Sequence, residues 1–154
     1  MKSVMISIKP KWCELIAIGK KTIEVRKNKP KLPTPFKCYI YECNCKENTY
    51  WNVYHKNTLG KVIGEFVCDK ITVICPDNFI VREDAERALD GSCISIEEFR
   101  KYREYVQGTP LYMLKDAYAW HISNLKIYDK PKELSEFGLT RPPQSWCYVE
   151  VVEG

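Results

Sequence analysis

The sequence predicts an α+β domain built mainly from short, bent strands, and three observations point there. Residues 3–9, 36–43, 117–129 and 145–152 have strand character, with apolar and polar alternation or runs of β-branched and aromatic residues. Two stretches instead carry helical spacing, a short one over 10–19 and a longer one over 95–106. Gly64 interrupts a long strand pattern, the mark of a bulge or bend. The order is strand, short helix, several strands and one helical insertion. That order favours a small twisted β-barrel with a short N-terminal helix over a helix-covered parallel sheet.

Each element has its own local reason. In "SVMISIK" (3–9) Val4, Ile6 and Ile8 share one face. Pro10 suits the first turn of a helix, Trp12, Leu15 and Ile16 form its stripe, and Gly19 ends it. "KTIEVRK" (21–27) reads as a strand with Ile23 and Val25 on one side and Thr22, Glu24 and Arg26 on the other. The prolines of "NKPKLPTPF" make an exposed extended loop, and "FKCYIYEC" (36–43) resumes the sheet. Residues 44–58 show no clear period and read as a loop or hairpin. "KVIGEFVCDKITVI" is a long strand or a bent pair. Ser95 and Glu98 form a capping box at the start of the second helix, and 82–89 carries a further helical turn. Tyr118, Trp120 and Ile122 share one face of the next strand, opposite Ala119, His121 and Ser123. A connector or single helical turn and Pro142–Pro143 lead into a last strand, "SWCYVEVV" (145–152).

The whole of 1–154 is expected to be one domain, because no linker, repeat or low-complexity tract divides it. A net charge of +4 is compatible with nucleic acid but well short of a protein that coats it. The eight cysteines would suit a disulfide framework, but "MKSVMISIK" lacks the apolar run of a secretory leader. Several cysteines also sit in apolar stretches, so free thiols in a reducing cytoplasm are expected. No apolar run is long enough to span a membrane. Cys43 and Cys45, with Cys38 before and His55 after, lack the paired spacing of structural zinc, so no metal is expected. No phosphate-loop or dinucleotide fingerprint is present, so no cofactor is expected either.

"SIKPKWCELIAIGKKTIEVRK" resembles the N-terminal signature of the ASCH domain family of the PUA-like superfamily: a strand, a short helix, then G-x-K-T-x-E-x-R on a second strand. "GKVIGEFVCDKI" resembles the family's next strand, and "AYAWHISNLKIYDKPKELSEF" with "RPPQSWCYVE" the closing segments of its phage- and prophage-type branch. The resemblance runs from Ser7 to Glu150, with a poorly matching stretch at 44–58. It implies a PUA-like barrel with a cleft beside the first helix and second strand, and RNA or a modified nucleoside as partner. One branch consists of amidohydrolases of N4-acylated cytidine, with lysine and a second threonine of K-T-x-T as base and nucleophile; other members are ribonucleases. By position the lysine is Lys21, but the nucleophile position holds Glu24, and a carboxylate does not replace a threonine hydroxyl that attacks an amide.

Lys21 and Glu24 are thus the catalytic candidates of a hydrolase reading, in which Glu24 activates water and Lys21 stabilises the oxyanion. In a binding reading Lys21, Thr22, Glu24 and Arg26 line the cleft, Arg26 meeting a phosphate or base edge and Glu24 accepting from an exocyclic amine. The plainer alternative makes Thr22, Glu24 and Arg26 the solvated face of a half-buried strand. The parity of Lys21 and Glu24 on one strand keeps them apart unless a twist or bulge intervenes. Ser7, Lys9 and Trp12 stand where the first strand feeds the helix, and Trp12 could stack on a base or pack in the core. Lys27, Lys29 and Lys31 are candidates for phosphate contact. Trp120 and Ser145 either belong to the core and its rim or form the cleft wall, and His121 lacks a visible charge partner for acid–base work. An interaction protein with no nucleotide ligand is the reading from a third class.

Overall fold

Chain order places the termini of the sheet far from where their partners lie in sequence. The computed structural model describes residues 1–44, 58–75, 86–87, 89–102 and 115–151. Strands β1 (Lys2–Ile8), β2 (Ile23–Arg26), β3 (Phe36–Glu42), β4 (Val62–Ile74), β5 (Ala117–Lys132) and β6 (Trp146–Glu150) form one six-stranded sheet in the order β2-β5-β4-β3-β1-β6. Only β1 and β3 run parallel; every other neighbouring pair is antiparallel. Helix α1 (Pro10–Ala17), helix α2 (Ile96–Tyr102) and a single 3₁₀ turn (Leu134–Phe137) complete the described elements.

The alternation in β1 has a direct consequence for packing. Val4, Ile6 and Ile8 join Cys13 and Ile16 of α1, Cys38 and Ile40 of β3 and Phe66 of β4 in the main core. Met5 points the other way, into a second cluster with Tyr39, Tyr41 and Phe137 of the 3₁₀ turn. A third cluster seats α2 on the sheet: Ile96 and Phe99 meet Val25, Ile74, Ala117 and Ala119. The expected capping box forms, with the Glu98 amide donating to Ser95 Oγ at 3.1 Å and the Ser95 amide to Glu98 Oε1 at 3.5 Å.

Gly64 sits where β4 and β5 cross closely. A Cβ there would lie 2.5 Å from the Lys126 carbonyl oxygen, and the pairing register slips between Val62 and Gly64. The bend read from the sequence is therefore a close backbone approach that only glycine permits. Further slips occur between Glu65 and Val67 and between Cys68 and Ile71.

Two expectations need correction. Strand β2 does not begin at Lys21: Gly19 adopts φ +82°, and the amides of Lys20 and Lys21 both donate to the Leu15 carbonyl at 3.0 Å, so the helix ending occupies these residues. The sheet, moreover, does not close into the expected barrel. Among the described residues no backbone ladder joins the edge strands β2 and β6. The curl is nevertheless deep enough for Arg26 on β2 to reach Ser7 on β1 and Ser145 just before β6. A side chain bridges the gap where backbone pairing would have closed it. Residues 45–57 and 103–114 lie outside the described residues, as does most of the 82–89 turn.

Candidate functional site

The gap bridged by Arg26 opens into a cavity of about 310 Å³. Ser7 at the end of β1, Lys9, and Trp12 on α1 form one wall; Glu24, Val25 and Arg26 of β2 form the floor. Ile94, just before α2, and Glu98, in its first turn, also line it, and Cys43 and Gln144 complete the lining. Five segments distant in sequence thus meet at one opening.

A charge cluster underlies the floor. Glu24 is 6% exposed and Lys21 only 1%, so both are withdrawn from water. Arg26 Nε donates to Glu24 Oε1 at 3.1 Å, Nη1 to Ser145 Oγ at 3.0 Å, and Nη2 to the Ser7 carbonyl at 2.6 Å. Lys21 Nζ donates to the Ser92 carbonyl, lies 3.6 Å from Glu24 Oε2 and sits 4.7 Å from the centre of the Trp12 ring. Its burial lowers the affinity of Lys21 for its proton, and the neighbouring Glu24 carboxylate opposes that shift. The two cations are thereby directed to carbonyls, a hydroxyl, a carboxylate and an aromatic face.

Glu24 ties the two cations together. No hydrogen bond is formed to its buried Oε2 among the described residues, but the Lys21 ammonium lies 3.6 Å from that oxygen, so the carboxylate's charge is met by Arg26 on one oxygen and Lys21 on the other.

The convergence of Lys21 and Glu24 follows from the helix ending. Because Lys21 precedes the strand, the parity that would separate the two does not apply. The polar face of β2 is also not the solvated one: Glu24 is buried and Arg26 partly so, while Thr22 is exposed and turned to Gly91, whose carbonyl accepts its amide at 2.8 Å. Thr22 therefore lies off the cavity.

Of the two places left open for Trp120, the structure has it in the core. It is fully buried in the main core, edge-on to Phe36 and Trp146 with ring centres 5.9 Å apart in each pair, and lines no part of the cavity. Ser145 acts from behind, as an acceptor for Arg26. Ser7 both lines the cavity and braces it, its hydroxyl donating to the Pro143 carbonyl at 2.7 Å. His121 pairs with Thr72 Oγ1 at 2.8 Å, off the cavity; burial and Lys70 lower its affinity for a proton. Lys27, Lys29 and Lys31 are exposed on the proline loop that follows Arg26.

Sequence reasoning missed Cys43, Ile94, Glu98 and Gln144 as lining residues and Ser92 as the acceptor for Lys21. Of these only Glu98 carried a signal, its place in the capping box, and that spoke of a helix start. Asn28 was also missed: its carbonyl accepts from Trp120 Nε1 at 3.3 Å and its Oδ1 from Trp146 Nε1 at 2.7 Å, fixing the loop beside the site. Among the described residues no group of three or more His, Cys, Asp and Glu is arranged to hold a metal ion; Cys45 and His55 lie outside them, and Cys38 is buried in the core. None of the described helices is long and apolar enough to cross a membrane.

No protein-family model matches the sequence, and no curated protein sequence does. Solved structures do. The ASCH protein ZmASCH from Zymomonas mobilis aligns at 20% identity and a TM-score of 0.64, over 96% of this chain and 87% of that one. A tyrosine-to-phenylalanine variant of the same protein aligns at 22% identity and a TM-score of 0.65, over 97% of this chain and 91% of that one. A serine-to-alanine variant gives 21% and 0.65, over 96% and 88%. At such identities the likeness speaks for the backbone alone, and on that ground the chain has the fold of an ASCH domain.

Proposed function

We propose that the chain is a single PUA-like ASCH domain that binds an RNA base or a modified nucleobase in the cleft beside α1 and β2. The cavity itself carries this reading, because polar side chains from Ser7, Lys9, Glu24 and Gln144 meet apolar surface in one recess. A volume of about 310 Å³ lies at the low end for small-molecule sites, which suits one base rather than a long segment. Val25, Ile94 and Trp12 supply the apolar surface that a flat ring needs, and the exposed Lys27, Lys29 and Lys31 stand nearby for phosphates.

Binding is favoured over hydrolysis by the position of Lys21. A base or oxyanion donor must reach the reacting atoms, yet Lys21 is 1% exposed, lies outside the lining and is held by the Ser92 carbonyl. The likeness to ZmASCH is compatible with either activity and selects neither.

Titration of fluorescent single-stranded RNA at low salt tests the proposal. The expected result is saturable binding that weakens about tenfold or more in Gln144→Trp, which obstructs the cleft from an exposed position. No binding at low salt would overturn the function; unchanged binding by Gln144→Trp would move it away from the cleft.

A further inference from the structure

Resting on that reading, we infer that the base in the cleft belongs to a single-stranded RNA whose backbone leaves over the proline loop at 27–35, so the ligand is a strand of several nucleotides and not a free nucleotide. The loop leads straight out of the site: Arg26 lines the cavity and Lys27 is the next residue. It holds Lys27, Lys29 and Lys31, all exposed, and no acidic residue. Successive lysines are two residues apart, at most about 7 Å along the chain, so they can meet neighbouring phosphates. The loop is also anchored to aromatic side chains of β5 and β6. The Asn28 carbonyl accepts from Trp120 Nε1 at 3.3 Å, its Oδ1 accepts from Trp146 Nε1 at 2.7 Å, and the Lys31 amide donates to the Tyr148 hydroxyl at 2.7 Å. Lys29 Nζ lies 5.8 Å from the centre of the Tyr118 ring. Lysines carried on an anchored backbone lose less freedom when a strand binds.

Charge chooses the direction. A second recess, of about 230 Å³, adjoins the cleft, since Ile94 lines both. It lies at the start of α2, and the charged residues of its lining are Glu86 and Glu97, with Glu98 on the cleft side. A phosphate backbone entering there would meet carboxylates and no basic side chain among the described lining residues. The cations under the cleft do not serve instead. Lys21 is 1% exposed with its ammonium on the Ser92 carbonyl, and Arg26 is committed to Glu24, Ser7 and Ser145. That leaves Lys9 in the lining, a match for one phosphate but not for a chain of them. The countercharge that a strand needs is on the proline loop.

Wild-type protein is titrated at low salt with the 5′-monophosphates of uridine, cytidine and adenosine and with the matching tetranucleotides, following tryptophan fluorescence. For at least one base the tetranucleotide is expected to bind about tenfold or more tighter than the monophosphate, beyond the about fourfold that four equivalent bases give by statistics alone. Lys29→Ala/Lys31→Ala should remove most of that gain. Lys126→Ala/Lys130→Ala, on exposed residues of β5, changes the net charge by the same amount and should leave the gain within about twofold. Equal affinities for tetranucleotide and monophosphate in the wild type would overturn the path and leave base binding in the cleft standing. A gain that survives the loop variant, or that both variants reduce alike, would overturn the path as well. No binding in either format would overturn the path and the cleft reading together. The wild-type comparison decides even if a variant does not fold.

Discussion

Arg26 offers a sharp test of the site's architecture, because three directed contacts leave one planar head group. Its side chain is 12% exposed and that of Glu24 8%, so solvent screens their ion pair little. Arg26→Ala removes the donor to Glu24 Oε1 and orphans the Ser7 carbonyl, which Nη2 meets at 2.6 Å. Hydrogen bonds to charged groups contribute about 1.5–3 kcal/mol each and are not additive. Removing one partner of a buried pair costs about 3–5 kcal/mol, because the other charge stays behind, and we expect Arg26→Ala to fall in that range. Against a total of about 5–15 kcal/mol for an ordinary domain, such a loss is large. Arg26→Lys keeps the charge without the fork and should leave about 2 kcal/mol or more of the deficit. Equilibrium urea denaturation, with the midpoint and slope fitted together, measures both. If Arg26→Ala lost less than about 1 kcal/mol, or Arg26→Lys matched the wild type, the arginine would not be the bridge between β2 and the β1–β6 side.

Three further outcomes follow from the same geometry. Lys21 has its proton affinity lowered on folding, so between its folded pKa and the unfolded value the unfolded chain holds more protons and stability rises with pH. The difference in unfolding free energy between wild type and Lys21→Met should therefore shift in the wild type's favour from neutral pH toward pH of about 10, and a flat difference would mean that burial does not perturb the amine. Gly64→Ala places a methyl 2.5 Å from the Lys126 carbonyl oxygen and should lower stability by about 1–3 kcal/mol or more in the same denaturation assay, whereas a neutral effect would contradict the close crossing of β4 and β5. Replacing Lys27, Lys29 and Lys31 together by alanine should reduce the salt slope of RNA binding by about 2, at about 0.7 per phosphate contact on a single strand; an unchanged slope would place the phosphate contacts elsewhere.

Local signals read well where local physics decides. The alternation in β1, Pro10 opening α1, Gly19 ending it and the Ser95–Glu98 box all concern groups within one turn or one strand, and the structure has each of them in place. Glu24 shows where such reading ends. Period-two alternation separates two faces of a strand but does not say which faces water, and α2, some seventy residues later, packs over this edge of the sheet. The same burial puts Trp120 in the core, although its alternation with Tyr118 and Ile122 was visible. Lys21 was assigned to the wrong element because a glycine ending takes two further residues to satisfy the Leu15 carbonyl. Barrel closure depends on how far the sheet curls and on whether its edges meet in register, and no short stretch of β2 or β6 encodes that.

The cluster also bears on why charge lies here at all. Buried ion pairs rarely stabilise more than apolar residues of similar volume, so stability alone is a weak reason to keep Lys21, Glu24 and Arg26. Tying segments together is a better one. Lys21 fixes the α2 segment through the Ser92 carbonyl, and Arg26 fixes β1 and the β6 approach through Ser7 and Ser145. That role explains both cations and both oxygens of Glu24, since Oε1 receives Arg26 Nε–H and Oε2 lies 3.6 Å from the Lys21 ammonium. A glutamine in that place could still receive Arg26 Nε–H, but its NH₂ would then stand against the buried ammonium, so the carboxylate is what lets two cations share one site.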